Sequence, residues 1–289
     1  MIYFCADDYG LCNASDRHIN ECCENGILNK ISILPGCRYN KDSEINLSLH
    51  INLVEGTPLL PKEKVNLLVS EDGNFRHSFE GLFFLSMSAK RKQLEKQIYE
   101  ELKAQISYFR SEVSPEAPFM LDSHQHVHMI PLIFRTLMKV IRDEGIKVRY
   151  LRIPDEPLMP YIKAYNLYFT YRPVNLIKQW LLKFLWQINK KEFNKEKIPT
   201  ALFMGILFSG CMDEKRVKRI LPYYISLAKK RETDIEVLFH PGYIEEKSEN
   251  KNIKEKFSKF YFSEGRKIEY DTVLSLQQQK KEVFLNALY

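Results

Sequence analysis

The chain has none of the short signatures that assign an enzyme at a glance. It has no G-x-S-x-G elbow, no Walker-type glycine loop and no G-x-G-x-x-G turn. Serine hydrolase, P-loop and dinucleotide readings are therefore without support. It has no apolar run approaching the ~20 residues of a membrane span, and membrane contact is not expected. It has no arginine-rich or RNP-type stretch, and its net charge of +6 is modest for 289 residues, so no nucleic-acid partner is expected. None of the six cysteines (Cys5, Cys12, Cys22, Cys23, Cys37, Cys211) stands in a C-x-x-C pair. Reduced thiols and a cytoplasmic location follow as expectations. The first residues enter an apolar strand without a basic, apolar leader, so no secretory signal is expected. No repeat or low-complexity linker divides the chain, and a single domain is expected.

What is there is an alternation of strand and helix patterns. Ile2 to Ala6 reads as a strand, followed by a helix that Asn13 or Ser15 caps and Gly26 stops. Further strands are predicted at Ile31 to Leu34, Asn46 to Leu53, Phe119 to Asp122, Lys147 to Arg152, Ala201 to Leu207 and Ile235 to Phe239. Between them, Leu94, Ile98, Leu102, Ile106 and Phe109 recur at helical spacing. Pro131 suits the first turn of another helix, and a further helix is predicted from Asp213 to Lys230. Such alternation gives parallel strands joined by crossover helices. The expected fold class is α/β, an irregular (β/α) TIM-like barrel.

Five of the seven histidines fall in four polar islands, each ending or following an apolar strand, which is where α/β folds carry their chemistry. Asp7-Asp8 follows the first strand. One carboxylate can ligate a metal while its neighbour receives a proton from bound water; a helix cap is the competing reading. Successive strand side chains splay, so the two should not point the same way. His50 shares a strand face with Asn46, Ser48 and Asn52. In the run Asp122-Ser123-His124-Gln125-His126-Val127-His128, a turn is expected, with His124 as ligand and the other histidines orienting it or meeting substrate. His240 precedes Pro241-Gly242, well placed to protonate a leaving group. Imidazole and carboxylate together suit a divalent ion holding a reactive water.

With these residues on the page, the chain resembles the YdjC-like (ChbG/HpnK-like) carbohydrate deacetylase family. The resemblance rests on Ala6-Asp7-Asp8-Tyr9-Gly10, Leu49-His50 leading to Glu55-Gly56-Thr57-Pro58-Leu59, the histidine run, and Phe239-His240-Pro241-Gly242. Weaker matches are Gly26-Ile27-Leu28, Phe208-Ser209-Gly210, and Arg266 with Glu269-Tyr270. The resemblance implies a distorted barrel that deacetylates N-acetylated sugars with one divalent ion, magnesium first, zinc or manganese as alternatives. It implies Asp8, His50 and His124 as ligands, Asp7 as base and His240 as acid. Asp122, His126, His128 and Arg266 are expected to support the ligands or touch substrate. Two alternatives stand beside this one: another single-metal barrel hydrolase (phosphoesterase or amidohydrolase), and a catalytically silent sugar-binding protein.

Two departures from the family pattern are visible. Tyr9 replaces a phenylalanine, and the stretch from about 157 to 199 has no counterpart. That stretch places Trp180, Leu181, Phe184, Leu185 and Ile188 on one helical stripe, with lysines around it. A core or subunit-contact helix is the first reading, a cleft wall the second, a membrane-surface helix the third. A homodimer is compatible with the first.

Overall fold

The structure, a computed structural model, describes residues 1–39, 45–115, 119–244 and 260–278. Seven strands form one parallel sheet: β1 (Ile2–Tyr9), β2 (Lys30–Ile33), β3 (Asn46–Ile51), β4 (Phe119–Ser123), β5 (Val148–Leu151), β6 (Leu202–Met204) and β7 (Ile235–Phe239). Their order is β5-β4-β3-β2-β1-β7-β6, every neighbouring pair parallel. The sheet curls into part of a barrel, in line with the fold class expected. At its two edges, Leu151 N donates to Pro199 O at 3.0 Å, tying β5 to the residues entering β6.

The helices are α1 (Asn13–Asn25), α2 (Phe79–Ser86), α3 (Arg91–Glu112), α4 (Pro131–Asp143), α5 (Met159–Lys163), α6 (Pro173–Glu196), α7 (Glu214–Arg231) and α8 (Glu264–Gln278). Helix α3 buries the predicted stripe from Leu94 to Phe109. Asp213 caps α7 by accepting from Arg216 N, 2.8 Å. The cap of α1 is not Asn13 or Ser15 but Cys12, without a side-chain bond.

Strand register sets the inner lining. Cys5 pairs with Lys30, Ser32 with Ser48, Ser48 with Met120, His50 with Asp122, and Met120 with Tyr150. With a two-residue side-chain period, these residues share one face. That face is polar where the other is apolar. Lys30, Asp122, Arg152 and Glu236 are all fully buried on it.

Helix α6 lies over the loops that leave the C-terminal ends of the strands. Its inner face carries three amides among the buried apolar side chains Leu182, Leu185 and Phe193. Asn175 Nδ2 donates to Leu207 O (3.2 Å) and Ser209 O (3.1 Å), Gln179 Nε2 to Glu156 O (2.9 Å), and Asn189 Nδ2 to Met129 O (2.8 Å). Leu182 and Leu185 are buried beside them, but Trp180, Phe184 and Ile188 point to solvent. The core reading of the predicted stripe is therefore wrong for its larger half.

Candidate active site

The site begins with an irregularity in β1. Between Ala6 and Tyr9 the pairing with β2 slips, three residues against two, and Asp8 takes φ +71°. A left-handed conformation is uncommon outside glycine, though Asp tolerates it, and such strain gathers at functional positions. The bulge overturns the expectation that the two carboxylates splay apart. Both are buried and both face His50: its Nε2 lies 3.5 Å from Asp8 Oδ1 and 3.9 Å from Asp7 Oδ2. Neither Asp caps α1.

His124 Nδ1 meets Asp8 Oδ1 at 2.8 Å. Asp8, His50 and His124 each offer a ligand atom, all within 4.8 Å of one another and all buried. Ligand atoms about 2.0–2.3 Å from an ion are separated by roughly 3–3.5 Å, and the distances of 2.8 and 3.5 Å match that spacing. The donor set fits a divalent cation. Burial would raise the Asp8 carboxyl, but His124 and Arg266 outweigh it and hold it well below the usual range, so it stays an anion. Burial would lower His50, yet Asp7, Asp122 and Asp8 carry it up to about 10. A cation binding there replaces that proton.

The orientation of these groups is built in. Asp122 receives His50 Nδ1 at 2.6 Å and accepts from Ser32 Oγ and Ser48 Oγ, each 2.7 Å, and from Lys30 Nζ at 3.1 Å. Arg266, from α8, donates Nη2 to Asp8 Oδ2 and Nη1 to Gly242 O (2.8 Å). Arg152 clamps Asp7 with two bonds, 2.7 and 2.8 Å, and also donates to Glu236 at 2.6 and 3.0 Å. Burial alone would raise Asp7; Arg152 and His50 reverse that and keep it ionised. Two further clusters of possible ligands, Asp7–His50–Asp122 and Cys5–Asp122–Glu236, lie deeper. Lys30 and Arg152 already neutralise their carboxylates, so a second cation there would meet two resident ones.

Glu55 closes the other side. Its Oε2 is 3.1 Å from His124 Nε2 and accepts Tyr261 OH at 2.7 Å, while Oε1 has no partner among the described residues. The loop is fixed by Asn52, whose Oδ1 accepts from Val54 N and Glu55 N, both 3.1 Å. Gln105 on α3 in turn holds Asn52 N (3.1 Å) and Asn52 O (2.7 Å). Asn52 thus serves the turn rather than a ligand face.

The three histidines of the run diverge. Gln125 and His126 adopt φ +52° and +57° in a tight turn after β4, so the alternation stops at His124. His126 lies edge-on to Phe203, 5.8 Å between centroids, and burial keeps it neutral. His128 joins Ser123 Oγ (2.5 Å) to Arg152 O (2.9 Å) and braces the turn against β5. His240 begins one step past the Ala6–Phe239 pair, level with Asp7 across the β1–β7 register. Glu269 of α8 accepts His240 N (2.6 Å) and Gly210 N (2.7 Å), and lies 3.5 Å from His240 Nδ1. Gly242 is required by closeness: a Cβ would fall 2.0 Å from Ser15 Oγ.

Sequence reasoning assigned no role to Arg152, Lys30, Glu236, Glu55 or Glu269. For the first three a signal existed: single charges inside apolar strands, on the parity of His50.

The bulged Asp pair, the two histidines and Arg266 now stand as one cluster. A model of the YdjC-like protein family matches residues 1–281. The chain belongs to that family. It is similar to proteins named carbohydrate deacetylase from Danio rerio (32% identical over 158 residues, 52% of this chain and 49% of that one) and Homo sapiens (31% over 165, 52% and 47%). A relative of the same name from Thermoanaerobacter pseudethanolicus is 25% identical over 196 residues, covering 64% of this chain and 75% of its own. The chain spans about half the length of the vertebrate relatives it matches. The solved structure of an Enterococcus faecalis protein, described as a candidate for cellobiose-phosphate cleavage, superposes with TM-score 0.67 at 19% identity over 99% of this chain and 94% of that one. That likeness concerns the fold.

Proposed function

We propose that this YdjC-like protein is a metal-dependent hydrolase that removes the acetyl group from an N-acetylated sugar or oligosaccharide. The observation that carries the reading is the convergence of Asp8, His50 and His124 beside a carboxylate, Asp7, that Arg152 holds in place. The names of the similar proteins supply the substrate class.

Asp8, His50 and His124 would hold a divalent ion, which would supply Lewis-acid chemistry at the acetyl carbonyl and the attacking water. Asp7 takes the proton of the attacking water. The Arg152 clamp lowers its basicity but fixes its direction, and orientation is a large share of such catalysis. An amide nitrogen leaves poorly as an anion, so His240 donates a proton to it; Glu269 holds the His240 backbone. The products are acetate and a free amino sugar. Glu55 Oε1, buried without a partner among the described residues, offers an acceptor beside the ligands.

The resemblance brings magnesium as the expected ion, with manganese close to it in ligand preference, whereas two imidazoles favour zinc. All six cysteines are free, which supports a reducing compartment, the cytoplasm. No helix among the described residues is long and apolar enough to cross a membrane.

The test is acetate release from a panel of N-acetylated mono- and oligosaccharides, with phosphate esters as controls, before and after chelation and after restoring each metal. Release that stops with chelator and returns with one ion supports the proposal. Phosphate-ester cleavage without acetate release, or release indifferent to chelator, contradicts it.

A further inference from the structure

Helix α6 carries more apolar surface than its own fold covers: Leu182, Leu185 and Phe193 are buried, and a second apolar set is not. Its amides turn inward onto loop carbonyls. The second apolar set turns outward, at a spacing of three and four residues through Ile177, Leu181, Phe184 and Ile188. Trp180 is 69% exposed beside them, and Phe169, on the short turn before α6, is fully exposed. Contiguous apolar surface of this kind marks a contact with something else.

Charge decides what that is. Residues 157 to 191 contain six lysines or arginines and no aspartate or glutamate. Taking those six from the 43 basic residues of the chain leaves 37, equal to its 37 acidic ones. Of the six, Lys178 turns its amine inward toward Asp7, Asp8 and Glu156, and Lys183 lies 3.9 Å from Asp155; Lys163, Arg172, Lys190 and Lys191 are exposed. A second copy docked through the same face would bring two such sets of cations together, which costs affinity. An aromatic and aliphatic face flanked by the exposed Lys163, Arg172, Lys190 and Lys191 is complementary to anionic headgroups over acyl chains.

We infer that the outer face of α5 and α6, with the turn between them, is a peripheral docking surface for an anionic lipid bilayer. With Trp180 and Phe184 exposed, the inference departs from the expectation of no membrane contact. The inference stands apart from the proposed chemistry, since it uses no residue of the metal cluster.

The test is co-sedimentation of the full chain with vesicles of phosphatidylcholine alone or with about one third phosphatidylserine. Two variants accompany it: Phe169→Ser/Trp180→Ser/Phe184→Ser and Lys190→Glu/Lys191→Glu, all at exposed positions. Circular dichroism verifies their fold. The expected result is pelleting with the anionic vesicles, lost at about 1 M salt, abolished in the triple variant and weakened on the order of tenfold or more in the charge variant. No pelleting, or equal pelleting on neutral lipid, overturns the inference. So does a dimer seen by light scattering that the triple variant dissociates, which would assign the face to a second copy.

Discussion

Lowering the pH should destabilise the protein through His128, and the size of the effect can be worked out. Its imidazole is fully buried between Ser123 Oγ and Arg152 O. The carbonyl accepts from Nε2–H, which leaves Nδ1 to accept from the hydroxyl, so the neutral ring satisfies both. Burial pushes its pKa down to about 4, against ~6.5 in an unfolded chain. Between these values the unfolded state binds a proton that the folded state refuses, so stability is full above pH ~6.5 and falls as pH drops toward 4. One unit is worth about 1.4 kcal/mol, so the loss over the window is about 3 kcal/mol. Urea unfolding of the parent and of His128→Gln, at intervals from pH 7 to 4 with chelator present, isolates it. At pH 7 the variant should be the less stable by about 1–3 kcal/mol, for its lost bonds. That gap should narrow and close as the pH falls. Parallel curves across the window would show that His128 does not remain neutral in the fold, and the reasoning would fail.

Other substitutions probe the site. Asp7→Asn should retain metal, measured by calorimetry, while turnover drops by roughly 10²–10⁴, the range of a lost general base; unchanged turnover would remove Asp7 from that role. Arg266→Leu frees Asp8 Oδ2 and should weaken metal affinity by about 10–100-fold, as loss of a group that orients a ligand does. If affinity is unaltered, the Arg266–Asp8 contact does not position the ligand. His240→Gln should slow N-acetyl amides far more than acetyl esters with activated leaving groups, which need no protonation; equal slowing would contradict the acid assignment.

The alternation of apolar segments made the parallel sheet legible, and the Leu94 to Phe109 stripe made α3 legible, because both periods follow from local geometry. Asp8, His50 and His124 were visible because polar residues at strand ends stay close in sequence to the strands that carry them. The bulge was not visible: Asp8 at φ +71° is imposed by packing and by Arg266, 258 positions away. Nor was the buried lattice of Lys30, Arg152, Asp122 and Glu236, since a strand sequence shows parity but not which face closes on itself. The outward turn of Trp180 and Phe184 escaped for the opposite reason. Hydrophobic spacing alone suggests burial, and the inward amides of Asn175, Gln179 and Asn189 reveal that α6 docks by the face they share with Leu182, Leu185 and Phe193.

The most direct test of the central claim is anomalous diffraction from crystals grown with manganese. The account predicts one strong peak within about 2.0–2.3 Å of ligand atoms from Asp8, His50 and His124, with Asp7 still clamped by Arg152 beside it. A peak at the deeper Asp7–His50–Asp122 or Cys5–Asp122–Glu236 clusters, or none at saturating manganese, would contradict it.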